Sequence, residues 1–200
     1  MYTFKPHFPA VPYKPSEGEV FIKDFFESES IKYQSQVEIN GLTGDSCSFR
    51  IADFYLPDYG VFVEFLGQWN KEEHRLRYNE KRAVYKENAV PCICFYPDNL
   101  GTIYFTFNKR LRVVLNEHNK NRELRKFNLR SLLTYKGGSI FGFLFFLALL
   151  IIFLFDRDAE WFWQSVMIVG ALVVYNGFNI YQGYQKIFRK GYSYVNFLRE

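Results

Sequence analysis

Cysteine and histidine are both scarce in this 200-residue chain, with three of each. Cys92 and Cys94 share one apolar run, Pro91-Cys92-Ile93-Cys94-Phe95-Tyr96, and the strand period puts both thiols on one face. No further Cys or His stands beside them to complete a zinc set, so they read as buried cytoplasmic thiols. His74 and His118 follow no ligand spacing and read as surface residues. An apolar leader is missing as well. The opening MYTFKPHFPAVPYKP has prolines at 6, 9, 12 and 15 and no hydrophobic centre, which argues against a secretory signal. Residues 1–15 are expected to form an extended arm with its aromatics packed on the following domain.

What is present divides sharply along the chain. Residues 1–100 carry eleven Lys/Arg against fifteen Asp/Glu, a net −4, while 101–136 carry nine against two, a net +7. Residues 137–185 have a net −2 and the tail, 186–200, a net +3. The basic stretch therefore adjoins the apolar one, where it serves anionic lipid and membrane topology as readily as nucleic acid. Gly137 to Phe155 contains no charge, and Trp161 to Tyr184 is a second apolar run interrupted at Asn176, Asn179 and Gln182. Each has the roughly 20 residues that cross a bilayer. The intervening Asp156-Arg157-Asp158-Ala159-Glu160 suits a tight hairpin, with Trp161 and Trp163 at its rim. The remaining chain is too small to cover both helices. Nine basic residues before the first span and four after the second predict both termini on the cytoplasmic side of an inner membrane. Gly138 and Gly142 form a GxxxG pair that permits close helix approach, and Asn176 and Asn179 are expected to hydrogen-bond across the hairpin.

Residues 16–135 read as one small α/β domain. Ser16 caps a helix that runs to about Glu29, with Glu17 and Glu19 in its first turn. Ile31–Leu42 reads as a strand, and Ser48–Leu56 with Val61–Leu66 as a hairpin around Pro57-Asp58-Tyr59-Gly60. A charged helix over Asn70–Asn88, a buried strand over Val90–Tyr96 and a basic helix from about Asn108 to Leu133 complete the order α-β-β-β-α-β-α.

Asp53 lies among Ile51, Ala52 and Phe54, and Glu64 between Val63 and Phe65. Acids set in apolar strands cost desolvation unless a cation or donor meets them. Two of them on adjacent antiparallel strands converge as a hard cation such as Mg²⁺ requires. The competing reading places both on the solvent face of an edge hairpin.

Four stretches together resemble the PD-(D/E)XK nuclease superfamily, whose small modules often accompany helicases. They are Ser16-Glu17-Gly18-Glu19, Arg50-Ile51-Ala52-Asp53-Phe54-Tyr55-Leu56-Pro57, Glu64-Phe65-Leu66-Gly67 and Lys81-Arg82-Ala83-Val84-Tyr85, with Tyr96-Pro97-Asp98 at a further turn. The likeness covers about residues 16–115 and implies a restriction-endonuclease-like core. It implies that Asp53, Glu64 and the Phe65 carbonyl bind Mg²⁺ or Mn²⁺, and that Glu19 completes the site directly or through water. Leu66 stands where the motif's lysine belongs. Lys81, on the following helix, takes that lysine's place, and an ammonium brought from there can do the same electrostatic work. Gln36 would contact the water or the phosphate. Arg75, Arg77 and Arg82 on the charged helix would face either the phosphate backbone or, as a solvated helix face, water alone. The resemblance implies a metal-dependent nuclease acting on nucleic acid, DNA above RNA, with foreign DNA a candidate; the two apolar runs add a membrane anchor, with membrane lipid and a further copy or a membrane protein as partners. The alternative is an inactive, membrane-anchored scaffold with a nuclease-like fold.

Overall fold

Five strands follow one another across a single mixed sheet: β1 (Thr3–Pro6), β2 (Gln34–Asn40), β3 (Phe49–Leu56), β4 (Val61–Phe65) and β5 (Cys92–Phe95). The computed structural model describes residues 2–8, 13–155 and 162–189. Neighbours are antiparallel as far as β4, and β4 pairs in parallel with β5. A parallel pair needs a crossover, supplied here by helix α2 (Glu72–Glu87). Helices α1 (Glu17–Ser28) and α3 (Ile103–Glu117) complete the unit Met1–Leu124, a mixed α/β fold.

Each element has a local cause. Ser16 and Glu19 form a reciprocal capping box that starts α1, and the positive φ of Ser30 (52°) turns the chain out just past its end. Ile22 and Phe26, one helical turn apart, are fully buried. Phe26 meets Phe54 edge-on at 5.5 Å and Phe107 of α3 at 5.8 Å. Burying each such side chain contributes about 1.5–3 kcal/mol. The β3–β4 turn closes through Gly60 N–H to the Leu56 carbonyl at 2.8 Å, with Gly60 at φ 61°, a conformation that favours glycine.

The opposite face of the sheet packs Val37, Ile39, Phe62, Tyr85 and Val90 around Ala52. Helix α2 brings few apolar residues to it, with only Val84 and Tyr85 buried. Polar bonds help to hold this helix. Arg50 on β3 grips Asp45 at 2.8 and 2.6 Å and reaches Glu80 of α2 at 2.9 Å. The Asp45 carboxyl is held below its usual range by that guanidinium.

Two expectations are corrected. The N-terminal arm is not merely packed on the domain: Thr3–Pro6 pairs with Asn40–Val37 and adds an outer strand. Pro6, lacking an N–H, is tolerated because β1 is an edge. The basic segment is not one helix over 108–133. It begins at Ile103, ends at Glu117 and resumes at Asn121, because Asn119 sits at φ 53°.

In the second unit, Arg125–Glu200, the chain forms α5 (Phe162–Tyr184), which ends in a π turn over Gln185–Arg189, and most of α4 (Asn121–Phe155). Both helices are long and apolar enough to span a membrane, and large side chains such as Phe141, Met167 and Val174 stand exposed along them. Gly142 lets Asn176 close in, since a Cβ there would lie 3.0 Å from Asn176 Oδ1, whereas Gly138 faces open space. The amides of Asn176 and Asn179 donate to the Leu172 and Tyr175 carbonyls of their own helix, and among the described residues to no group across the hairpin. The loop 156–160, Trp161 and residues 190–200 of the tail lie outside the described residues.

Candidate active site

The register of the hairpin decides where the acids fall. Phe54 pairs with Val63 and Tyr55 with Phe62. One further step sets Asp53 against Glu64, on one face, and Glu64 in turn pairs with Cys94 across the parallel ladder. At this step the backbone ladder gives way to a side chain, as Asp53 Oδ2 accepts the Phe65 N–H at 2.6 Å.

Glu64 is only 4 % exposed. Helix α2 delivers two donors to it: the Lys81 ammonium at 2.7 Å and the Tyr85 hydroxyl at 2.9 Å. Lys81 also donates to the Ile51 carbonyl at 2.7 Å, which ties the helix to β3. Four residues apart, Lys81 and Tyr85 present the same helical face, and that spacing was the available signal for Tyr85, which carries no role in the motif reading. Leu66 is buried in the core and takes no part.

Burial and the nearby Glu64 charge raise Asp53 well above the ordinary aspartate range, against the opposing pull of Lys81. Burial alone would lower Lys81, but Glu64 and Asp53 hold its ammonium above the usual value. The Tyr85 hydroxyl is pushed up by burial and by the Glu64 charge, so it stays a donor. With both acids ionised, the single ammonium leaves one negative charge of the site unbalanced.

Glu19 is placed differently from the expectation. Its Oε2 accepts from the Ser16 N–H at 2.8 Å and from the Tyr13 hydroxyl, so it serves the helix cap, and its charge acts on Asp53 from there. Gly18 lets this helix end lie against Phe65, whose ring a Cβ would overlap. Gln36 stands opposite Asp53 in the β2–β3 register at φ 52°, a strained backbone for a non-glycine residue, and bonds the Tyr13 side chain. Arg75 pairs loosely with Glu72 at 3.9 Å, and Arg77 and Arg82 lie over the Tyr78 and Trp69 rings.

No protein-family model, curated protein or solved structure matches the chain. The site must therefore be read from its own chemistry. Among the described residues no three His, Cys, Asp or Glu side chains gather as a metal cluster. The donor set still suits Mg²⁺, which takes one or two carboxylates and keeps several waters. Asp53 Oδ1 meets no donor among the described residues, and each Glu64 oxygen retains a lone pair beyond its one hydrogen bond.

This charge balance has a measurable consequence. The folded state binds the Asp53 proton more tightly than the unfolded chain does, so Asp53 lowers stability as pH rises out of the ordinary aspartate range into its raised one. Asp53→Asn keeps the acceptor for Phe65 N–H and removes the charge. We expect it to raise stability at neutral pH by about 0.5–2 kcal/mol and to flatten this part of the pH dependence, as read from urea unfolding of the two proteins across pH 4–8. Equal slopes would show that the Asp53 charge is not strained.

Proposed function

We propose that the chain is a membrane-anchored, divalent-metal-dependent nuclease with a restriction-endonuclease-like core. The observation that carries this reading is the pairing of Asp53 with Glu64 on adjacent strands, with the Lys81 ammonium bonded to Glu64. Asp53, Glu64 and the Phe65 carbonyl would hold Mg²⁺ or Mn²⁺, with Glu19 acting through water. Such an ion lowers the pKa of a bound water and neutralises charge on a phosphate. Water adds to phosphorus, the P–O ester bond breaks, and the leaving oxygen takes up a proton. Lys81 keeps a positive charge beside the phosphoryl oxygens as their charge grows. Gln36, held by Tyr13, would orient the water or the phosphate. The basic residues flanking the spans favour both termini on the cytoplasmic side of an inner membrane, which would confine cleavage to nucleic acid at that face.

A second reading has its own support. Lys81 and Tyr85 already satisfy both Glu64 oxygens, so the ammonium can stand in for a metal and leave an inactive scaffold. Incubating the full-length protein in detergent with linear DNA separates the two. The nuclease reading expects cleavage with Mg²⁺ or Mn²⁺ and none in EDTA, and the scaffold reading expects none in either.

A further inference from the structure

We propose that the cleft between α2, β5 and α3 binds a phosphorylated nucleotide, either free or as one residue of a strand. The cleft has a volume of ≈ 760 Å³, within the roughly 300–1,000 Å³ of small-ligand sites. Two cations reach it from α2, Arg82 and Lys86, and two from α3, Lys109 and Arg110; the one acid in its lining is Glu117. None of the four cations forms an ion pair with a carboxylate among the described residues. Four cations lining one cleft, with a single acid among them, favour an anion held between two helices.

Arg110 is the most telling of them. It is half-buried, donates to the Cys94 carbonyl, and lies over the Tyr96 ring at 5.5 Å. Burial pulls its guanidinium below the usual arginine range, since no carboxylate compensates the lost water. A phosphate would supply the missing charge. The rest of the lining mixes apolar and aromatic residues such as Val113 and Tyr96 with the polar Asn79, Asn99 and Thr106, which suits a base and ribose better than it suits a bare phosphate or an acidic peptide.

The backbone adds a second kind of recognition. β4 uses the Pro91 and Phe95 carbonyls, so the alternate residues Cys92 and Cys94 turn their main-chain groups toward the open side of the sheet, where Arg110 takes the Cys94 carbonyl and the two N–H groups face the cleft side. A base edge needs such fixed donors and acceptors. Tyr85 forms the wall shared with the Asp53–Glu64 site, yet the cleft's cations are its own, and the inference stands whether or not the acids hold a metal.

The test uses the full-length protein in detergent carrying Cys47→Ser, so that Cys92 and Cys94 report as the remaining thiols. The probes are ATP and a short oligothymidylate, read by calorimetry and by protection of those thiols from maleimide. Binding of ATP, or of the oligonucleotide alone, with thiol protection and a loss of about 10-fold or more in Lys86→Glu/Lys109→Glu, supports the site and tells its two sources apart. Both lysines are exposed, so the reversal leaves the fold intact. Lys23→Glu, exposed on α1, should leave binding unchanged. Binding of neither probe, or equal binding in the charge-reversed protein, overturns the proposal.

Discussion

Glu64→Gln is expected to lower Mg²⁺-dependent DNA cleavage by about 10³-fold or more. The amide matches the carboxylate in shape but carries no charge to hold a divalent ion, and no other group near Asp53 can activate water at neutral pH. The substitution also strands the Lys81 ammonium, so loss of activity alone would not distinguish chemistry from misfolding. Asp53→Asn resolves this. It should be equally inactive yet more stable, because it removes the repelled charge and keeps the bond to Phe65 N–H. Inactivity coupled to increased stability is what a catalytic acid produces and what a structural acid does not. Cleavage rates beside urea midpoints for the two variants make the measurement. Full activity in either would exclude the carboxylate pair from the reaction.

The second large effect falls on stability. Lys81→Met leaves Glu64 nearly enclosed, with the Tyr85 hydroxyl as its remaining donor among the described residues. Removing one partner of a buried pair costs about 3–5 kcal/mol, a large share of the roughly 5–15 kcal/mol that holds a domain together. The cost should shrink when Glu64 is neutralised as well, so the double variant Lys81→Met/Glu64→Gln is expected to be more stable than Lys81→Met alone. Urea unfolding of the three proteins checks this. Should the double variant be the less stable, Lys81 acts through its contact with the Ile51 carbonyl and its packing rather than through the ion pair. Mg²⁺ should also recover part of the loss in Lys81→Met, since it would replace the missing charge beside Glu64.

Legibility in the sequence followed how local the cause was. The Ser16 cap, the turn that joins Leu56 to Val61 and the two apolar helices are each set by a few neighbouring residues, and each appears where the pattern puts it. The pairing of Asp53 with Glu64 follows from that same turn, because its length fixes the register. Strand β1 was hidden because a proline-rich arm reads as an extended chain and its partner, Val37–Asn40, lies over thirty residues away. The break at Asn119 was hidden because asparagine is tolerated inside a helix as well as at positive φ, and nothing else nearby punctuates the basic run. Glu19 illustrates the limit of motif reading. The spacing that makes it a candidate for the site, three residues after Ser16, is also that of a capping box, and the cap takes its oxygen. Tyr85 stood within the stretch Lys81–Tyr85, on the face of Lys81, but its bond to Glu64 and the α2–β5–α3 cleft depend on tertiary packing, which no short spacing encodes.

The central claim is that Asp53 and Glu64 together hold one divalent ion. Titration of the full-length protein with Mn²⁺, followed by electron paramagnetic resonance, tests it without reference to any substrate. One Mn²⁺ per chain is expected, displaced by Mg²⁺ and lost in both Asp53→Asn and Glu64→Gln. No bound Mn²⁺, or the same binding in both variants as in the parent, would contradict it and leave Lys81 as the cation of this site.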